Sequence, residues 1–343
     1  KGDLVALIER ARAERESARS TAGADAIVCA RPHEGARFAS FDIDRFRGYT
    51  RAFLKIQDGC DRSCAYCAVP GARGPARSRN LAEVVEQARR LAANGYRELV
   101  LTGVHIGAYG EGAGEPRLSD LIEALLAVEG LSRVRLGSVE PTELSDSLVD
   151  TIISNPRVAR HLHVPLQSGS DRILSSMRRG YTADEYAGAV RRVADREPAL
   201  GLGADVIVGF PGETDEDFAD TLSLVKELPM TYLHVFSFSP RPGTEAATMP
   251  DDVPGPEKKR RSGALRALGR RKSRAFRTRL IGTEQEILLE HGSESEGTVS
   301  GLSGNYVRVQ VDGGRDLCNR LLRVRVTGAD DSRTWGAVVG SEL

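Results

Sequence analysis

Three thiols crowd one short stretch of this 343-residue chain: three residues separate Cys60 from Cys64, two separate Cys64 from Cys67, and Tyr66 precedes the last. Three thiolates can hold three corners of a four-iron cluster and leave the fourth iron open, whereas a structural zinc site closes a tetrahedron with four protein ligands. An open iron is a place for chemistry. The alternative is a zinc knuckle completed by Cys318, Cys29 or a histidine. Zinc spacings usually pair a second C-x-x-C or a Cys/His pair nearby, and none is present here.

The elements that must carry this loop follow from periodicity. From residue 50 onward, apolar runs of strand length at 53–57, 98–104, 133–138, 161–165, 203–209 and 232–238 alternate with helical patterns near 80–94, 117–129, 144–154, 170–196 (broken at Gly180), 214–228 and 257–279. Such a β-α succession predicts an α/β fold of parallel strands with right-handed crossovers, its turn-rich loops gathered at one end. The cysteines follow the first strand and so belong to the carboxyl end, where β-α barrels place their active sites.

The flanks read differently. Residues 1–18 suggest an amphipathic helix with Leu4, Leu7, Ile8 and Ala11 on one side, opening without an initiator methionine as if truncated, and 19–50 form a connector with a short strand near 26–30. Beyond 280, short apolar runs near 286–290, 297–299, 306–311, 322–327 and 335–339 predict a small antiparallel β-barrel. Just before it, residues 257–279 hold eleven Lys or Arg against a single acidic residue, Glu257. A stripe of that kind attracts phosphates.

Lys+Arg and Asp+Glu both total 48, so net charge alone does not indicate a nucleic-acid partner. Five cysteines, three of them clustered, suit a reducing compartment. No membrane-spanning run or signal-peptide core is present, and a cytoplasmic location is expected.

Around the cysteines the sequence reads TRAFLKIQDGCDRSCAYCAVPGARGPARSR, followed in order by ELVLTGVHIGAYG, RLGSVEP, HLHVPLQSGS, MRRGYT, DVIVGFPGET and HVFSFSPRPGT. The cysteine motif resembles the radical S-adenosylmethionine (SAM) superfamily, and the whole series resembles its methylthiotransferases. The similarity is greatest to the branch acting on tRNA threonylcarbamoyladenosine, in the motifs 101–105 and 138–141. The isopentenyladenosine branch, which tends to Asn at position 105, is the alternative.

The resemblance implies a partial (βα)6 barrel over 48–279, a remnant of an amino-terminal domain over 1–47, and an RNA-binding barrel of the TRAM type over 280–343. It implies a 4Fe-4S cluster with an open iron on Cys60, Cys64 and Cys67, which passes an electron to bound SAM and yields a 5′-deoxyadenosyl radical. Tyr66, Thr102, Gly103, Ser138, Glu140, Gln167, Ser168, Ile207 and Gly209 are the expected SAM-binding positions. His105, Arg178 and Arg179 are further candidates, and of His161 and His163 at least one is expected to face inward. Arg73, Arg77 and Arg79 at the barrel mouth, with Arg270, Arg271 and Arg274 on the basic helix, are expected to meet RNA.

The implied reaction is methylthiolation of C2 of N6-threonylcarbamoyladenosine at position 37, beside the anticodon. The implied partners are a tRNA anticodon stem-loop and an electron donor of the flavodoxin or ferredoxin type, with the protein a monomer. The departure from the family lies at the front. Methylthiotransferases carry three more cysteines there for a second, sulfur-supplying 4Fe-4S cluster, whereas only Cys29 precedes Cys60 here. The second cluster is therefore expected only in a missing amino-terminal domain. A non-catalytic tRNA-binding form, or one that cleaves SAM without sulfur transfer, is the remaining alternative.

Overall fold

The computed structural model describes residue 38 and residues 43–112, 114–291 and 297–340. The amino-terminal helix, the strand near 26–30 and Cys29 lie outside the described residues.

The first eight strands are β1 (Ala52–Lys55), β2 (Gln57–Asp58), β3 (Arg77–Ser78), β4 (Glu98–Thr102), β5 (Arg133–Leu136), β6 (His161–His163), β7 (Gly201–Val208) and β8 (Tyr232–Ser237). Parallel pairing runs β1-β4-β5 and β6-β7-β8. The two halves meet where Val134 bridges Val158 and Ser138 bridges His163, so six parallel strands form one curved sheet with β1 and β8 as its unpaired edges. The β2–β3 ladder is a separate antiparallel pair that clamps the two ends of the cysteine loop.

The helices cover the outer face for reasons visible in their sequences. In Leu81–Ala93, Val84, Val85, Ala88 and Leu91 fall on one buried side, and the Asn80 side chain accepts from the Ala82 N–H at the start. Ala183–Arg196 and Asp215–Glu227 each open with a capping box, Thr182 with Glu185 and Thr214 with Asp217. The break expected at Gly180 separates Asp171–Ser176 from Ala183–Arg196. These faces bury one continuous core of strand and helix residues, including Leu54, Leu101, Leu121, Ile122, Leu162 and Val206.

The long helix Gly255–Arg279 lies on β8, with Gly269 tight against Leu233 and Arg266 donating to the Val235 carbonyl. It leads into β9 (Glu284–Leu289), β10 (Thr298–Ser303), β11 (Arg308–Asp312), β12 (Leu321–Ala329) and β13 (Thr334–Val338), which close into a barrel in the order β10-β11-β13-β12-β9. The apolar runs predict an antiparallel barrel, but β11 and β13 pair in parallel. The reason is counting: directions cannot alternate all the way round a closed ring of five strands, so one neighbouring pair must run the same way.

This small barrel plugs the amino ends of the parallel strands. Glu98, Arg133 and Arg135 point into the larger barrel there and are almost fully buried. Glu98 accepts from Arg133 at 3.1 Å and from Arg135 at 2.7 Å. The arginines in turn donate to the carbonyls of Glu286, Leu302, Ser303 and Gly304 across the junction, at 2.8 to 3.2 Å. Tyr306 stacks on His161 with ring centroids 4.2 Å apart. Among the described residues no helix is long and apolar enough to cross a membrane.

Candidate active site

The cysteine loop is held shut at its neck. Gly59 has φ +76°, and a Cβ there would lie 1.9 Å from the Pro75 carbonyl oxygen, so only glycine fits. The Cys60 N–H donates to the Gly74 carbonyl at 3.1 Å. All three thiols are free and partly exposed. They do not gather around a point: among the described residues, His163, Asp205 and His234 form the sole group of three metal-ligating atoms lying within 4.8 Å of one another. Cys318, one proposed fourth zinc ligand, is buried in the core of the small barrel.

Each thiol has a different neighbourhood. Burial pushes the Cys60 thiol up, but the hydrogen bond with His105, together with the Arg62 N–H at 3.4 Å, brings it below its ordinary value. Burial pushes the Cys67 thiol up, and the neighbouring Cys64 and Cys60 add to the rise. The His105 ring spans two acids, with Nδ1 3.9 Å from Cys60 Sγ and Nε2 bonded to Glu143. Burial opposes its charge, yet those two partners push its pKa up to about 10. Arg62 reaches Glu143 at 3.1 Å and ties the cysteine loop to the turn after β5.

Across from Cys64 lies Arg179, its side chain only 4% exposed. It donates to Cys64 Sγ at 3.3 Å and to the Tyr66 hydroxyl at 3.4 Å, and it is paired with Glu140. Its sequence neighbour Arg178, at φ 56°, turns outward to Glu245. The adjacent arginines thus divide into one inside the site and one on the surface, a division that sequence could not make.

The other expected cofactor positions fall into two groups. Thr102 ends β4, and Gly103 packs so closely that a Cβ would meet Ile106 at 2.8 Å. Ser138 lines the barrel cavity, Ile207 packs on a small apolar cluster with Phe210 and Phe238, and Gly209 has φ +69° with Lys258 where a Cβ would be. Gln167, at φ 69°, lends its backbone to β7 through a bridge to Val206. Ser168 lies deeper than the others. The residue is completely buried, with its hydroxyl 3.3 Å from that of Thr221 and accepting from the Ser170 N–H, so it supports the turn.

The arginines expected at the mouth also divide. Arg73 and Arg77 lie beside Asp58 at the loop neck. Arg79 is buried, its guanidinium engaged with Gln87 and Glu83. On the basic helix, Lys258, Arg260 and Arg261 are paired with acids, Lys272 caps the helix Asp215–Glu227, and Arg274 pairs with Asp331 at 2.6 Å. Arg270 and Arg271 are exposed with no ion-pair partner among the described residues. Arg270 lines a groove of about 420 Å³ shared with Arg308 of the small barrel.

Beneath the cysteine loop the barrel interior holds a cavity of about 450 Å³, reaching from Ser138 at the carboxyl end to His161 and Tyr306 at the plugged end. Phe53 on β1 and Phe236 on β8 flank it from the two unpaired edges and are 37% and 52% exposed. His161 and His163 both face this interior, as residues two apart on a strand must.

Comparison with known proteins fits this arrangement. Residues 54–225 match the family model described as the radical SAM superfamily. By fold, coproporphyrinogen III oxidase from Escherichia coli, a radical SAM enzyme, superposes on 67% of this chain and 54% of its own at TM-score 0.51 and 19% identity. The radical SAM methyltransferase TsrM from Kitasatospora setae superposes on 59% of this chain and 38% of its own at TM-score 0.50 and 22% identity. By sequence, the chain is 36% identical over 95% of its length to the threonylcarbamoyladenosine tRNA methylthiotransferase of Bacillus subtilis, covering 71% of that protein. It is 39% identical over 79% of its length to the corresponding Thermotoga maritima enzyme, covering 62%. To the tRNA-2-methylthio-N(6)-dimethylallyladenosine synthase of Chromobacterium violaceum it is 38% identical over 85% of its length, covering 66%. The chain belongs to the tRNA methylthiotransferase family of radical SAM enzymes. It spans about two thirds of the length of these relatives.

Proposed function

We propose that this chain carries the radical and RNA-binding parts of a tRNA methylthiotransferase that acts on C2 of N6-threonylcarbamoyladenosine at position 37. The observation that carries the reading is the triad of free thiols walled by Arg179 and Glu140, in a chain 36% identical over 95% of its length to an enzyme named for that nucleoside. When bound, a 4Fe-4S cluster on Cys60, Cys64 and Cys67 supplies one-electron reductive cleavage of SAM. The chain's own residues bind and orient. Arg179 offers a buried guanidinium for a carboxylate, and Glu140 a carboxylate for ribose hydroxyls or an amine. The Ile207–Gly209 backbone edge meets a planar adenine. The barrel cavity, open between β1 and β8 and flanked by Phe53 and Phe236, receives the target base.

The small barrel is read as a TRAM-type RNA module, with Arg270 and Arg271 meeting phosphates of the anticodon stem-loop. A monomer in the cytoplasm, reduced by a flavodoxin- or ferredoxin-type protein, completes the reading. The transferred sulfur is assigned to a second 4Fe-4S cluster, for which Cys29 is the one thiol preceding Cys60. The 38% identity to the dimethylallyladenosine enzyme supports isopentenyladenosine as the second substrate reading.

The test is a chain extended at its amino terminus to the length of its relatives, reconstituted anaerobically and given SAM, reductant and tRNA bearing either nucleoside. The expected outcome is the 2-methylthio derivative of threonylcarbamoyladenosine. Product on the isopentenyl nucleoside alone reassigns the branch. SAM cleavage with no product on either RNA overturns the substrate class.

A further inference from the structure

We propose that His163, Asp205 and His234 form a second metal site, apart from the cysteine loop, for one divalent ion of the zinc, cobalt(II) or iron(II) class. The residues sit on three neighbouring strands, β6, β7 and β8, and Asp205 and His234 are direct register partners. Asp205 Oδ1 lies 3.0 Å from His163 Nε2 and 3.2 Å from His234 Nδ1. Metal–nitrogen and metal–oxygen bonds of about 2.0–2.2 Å place the ligands of a tetrahedral ion roughly 3.3–3.5 Å apart. Two of the three ligand separations are thus within a few tenths of an ångström of what an ion requires, and all three atoms lie within 4.8 Å of one another.

Three further features distinguish the group from an ordinary surface cluster. His163 is buried and its outer nitrogen is held: Nδ1 is 3.0 Å from the Tyr232 hydroxyl, which is itself 2.8 Å from His161 Nε2. That fixes the ring with Nε2 aimed at Asp205, the outer support that metal-bound imidazoles carry. The site is also accessible, since the His234 side chain is 51% exposed and all three residues line the barrel cavity. Finally, the nearby arginines are engaged elsewhere, Arg135 with Glu98 and Arg51 with Glu290, so the site's carboxylate has no guanidinium partner among the described residues.

Two neutral imidazoles and a carboxylate carry one negative charge, suited to a divalent ion, and three protein ligands leave a position open to the cavity. This is the composition of catalytic zinc sites rather than structural ones. An oxygen or nitrogen donor entering the cavity would complete the coordination. The competing account is a metal-free triad in which both imidazoles donate N–H to Asp205.

The two accounts separate on cobalt. The chain is reconstituted anaerobically so that the cysteines are occupied, stripped of loose metal with a chelator, and titrated with cobalt(II) alone. One equivalent beyond the cluster iron is expected. Its visible absorption should be that of cobalt in a nitrogen and oxygen environment, without a thiolate charge-transfer band. Asp205→Asn and His234→Ala should each lose that equivalent while keeping the same iron content, which also reports that they are folded. Tyr232→Phe should weaken binding about 10–100-fold. No cobalt beyond the cluster, undiminished uptake in both ligand variants, or a thiolate band would each overturn the site in favour of the hydrogen-bonded triad.

Discussion

His105 concentrates the electrostatics of the cysteine loop in one ring. Its charge is favoured by Glu143 and Cys60, with the folded pKa at about 10 against an ordinary value of about 6.5. A raised histidine pKa contributes stability that is complete below the unfolded value and disappears as pH rises through the folded one. The cluster-free chain should therefore lose stability between about pH 6.5 and 10, and the His105→Asn variant should lose less over the same window. Urea unfolding at a series of pH values measures both slopes. Equal slopes would mean that the ring is neutral in the folded protein.

At the scale of elements, the two barrels approach closely where β7 begins. A Cβ on Gly201 would come within 2.2 Å of the Asn305 carbonyl oxygen, a backbone atom that cannot swing aside. Gly201→Ala should cost about 1–3 kcal/mol through overpacking. It should also speed amide exchange around 303–307 while leaving the cysteine loop unaffected. Exchange confined to the cysteine loop would show that the plug yields without loosening.

The six parallel strands and the longer helices between them were legible because each has its own local signal: apolar runs for strands, helical periodicity for helices, glycine at the break. The cysteine triad was equally plain, being contiguous in sequence. What sequence could not reveal depends on distant approach. Arg179 meets Cys64 across 115 positions, and Asp205 lies between two histidines on separate strands. Nothing local marks Arg79 as buried and Arg77 as only partly so. The parallel β11–β13 pair was hidden for a different reason, since it follows from ring closure and not from any residue. His161 and His163 were legible as a pair, because residues two apart on a strand share a face.

For the whole molecule, the sequence suggests a separable carboxyl-terminal module, whereas the structure makes it part of the catalytic barrel's foundation. Removing 280–343 would strip Arg133 and Arg135 of their carbonyl partners and open Glu98 to solvent. We expect a truncated chain to unfold at markedly lower urea concentration and to lose its cluster as well, so truncation cannot isolate RNA binding. Charge reversal can. Arg270→Glu with Arg271→Glu should leave unfolding unchanged and weaken tRNA binding, and the salt dependence should become shallower by about one counterion for each phosphate no longer neutralised. Filter binding across a salt series reads both; unaltered affinity would move RNA recognition to the barrel mouth.

The plug also sets an order of events during synthesis. Growing from its amino terminus at about 5–20 residues per second, the chain completes all six parallel strands before the segment that meets Arg133 and Arg135 has been made. Until then the nascent barrel has three charged side chains at an unsealed end, where water can still solvate them. Emergence of 286–306 from the ribosome is thus the step at which those charges can be buried, so the foot of the barrel is sealed by a segment translated after every one of its parallel strands.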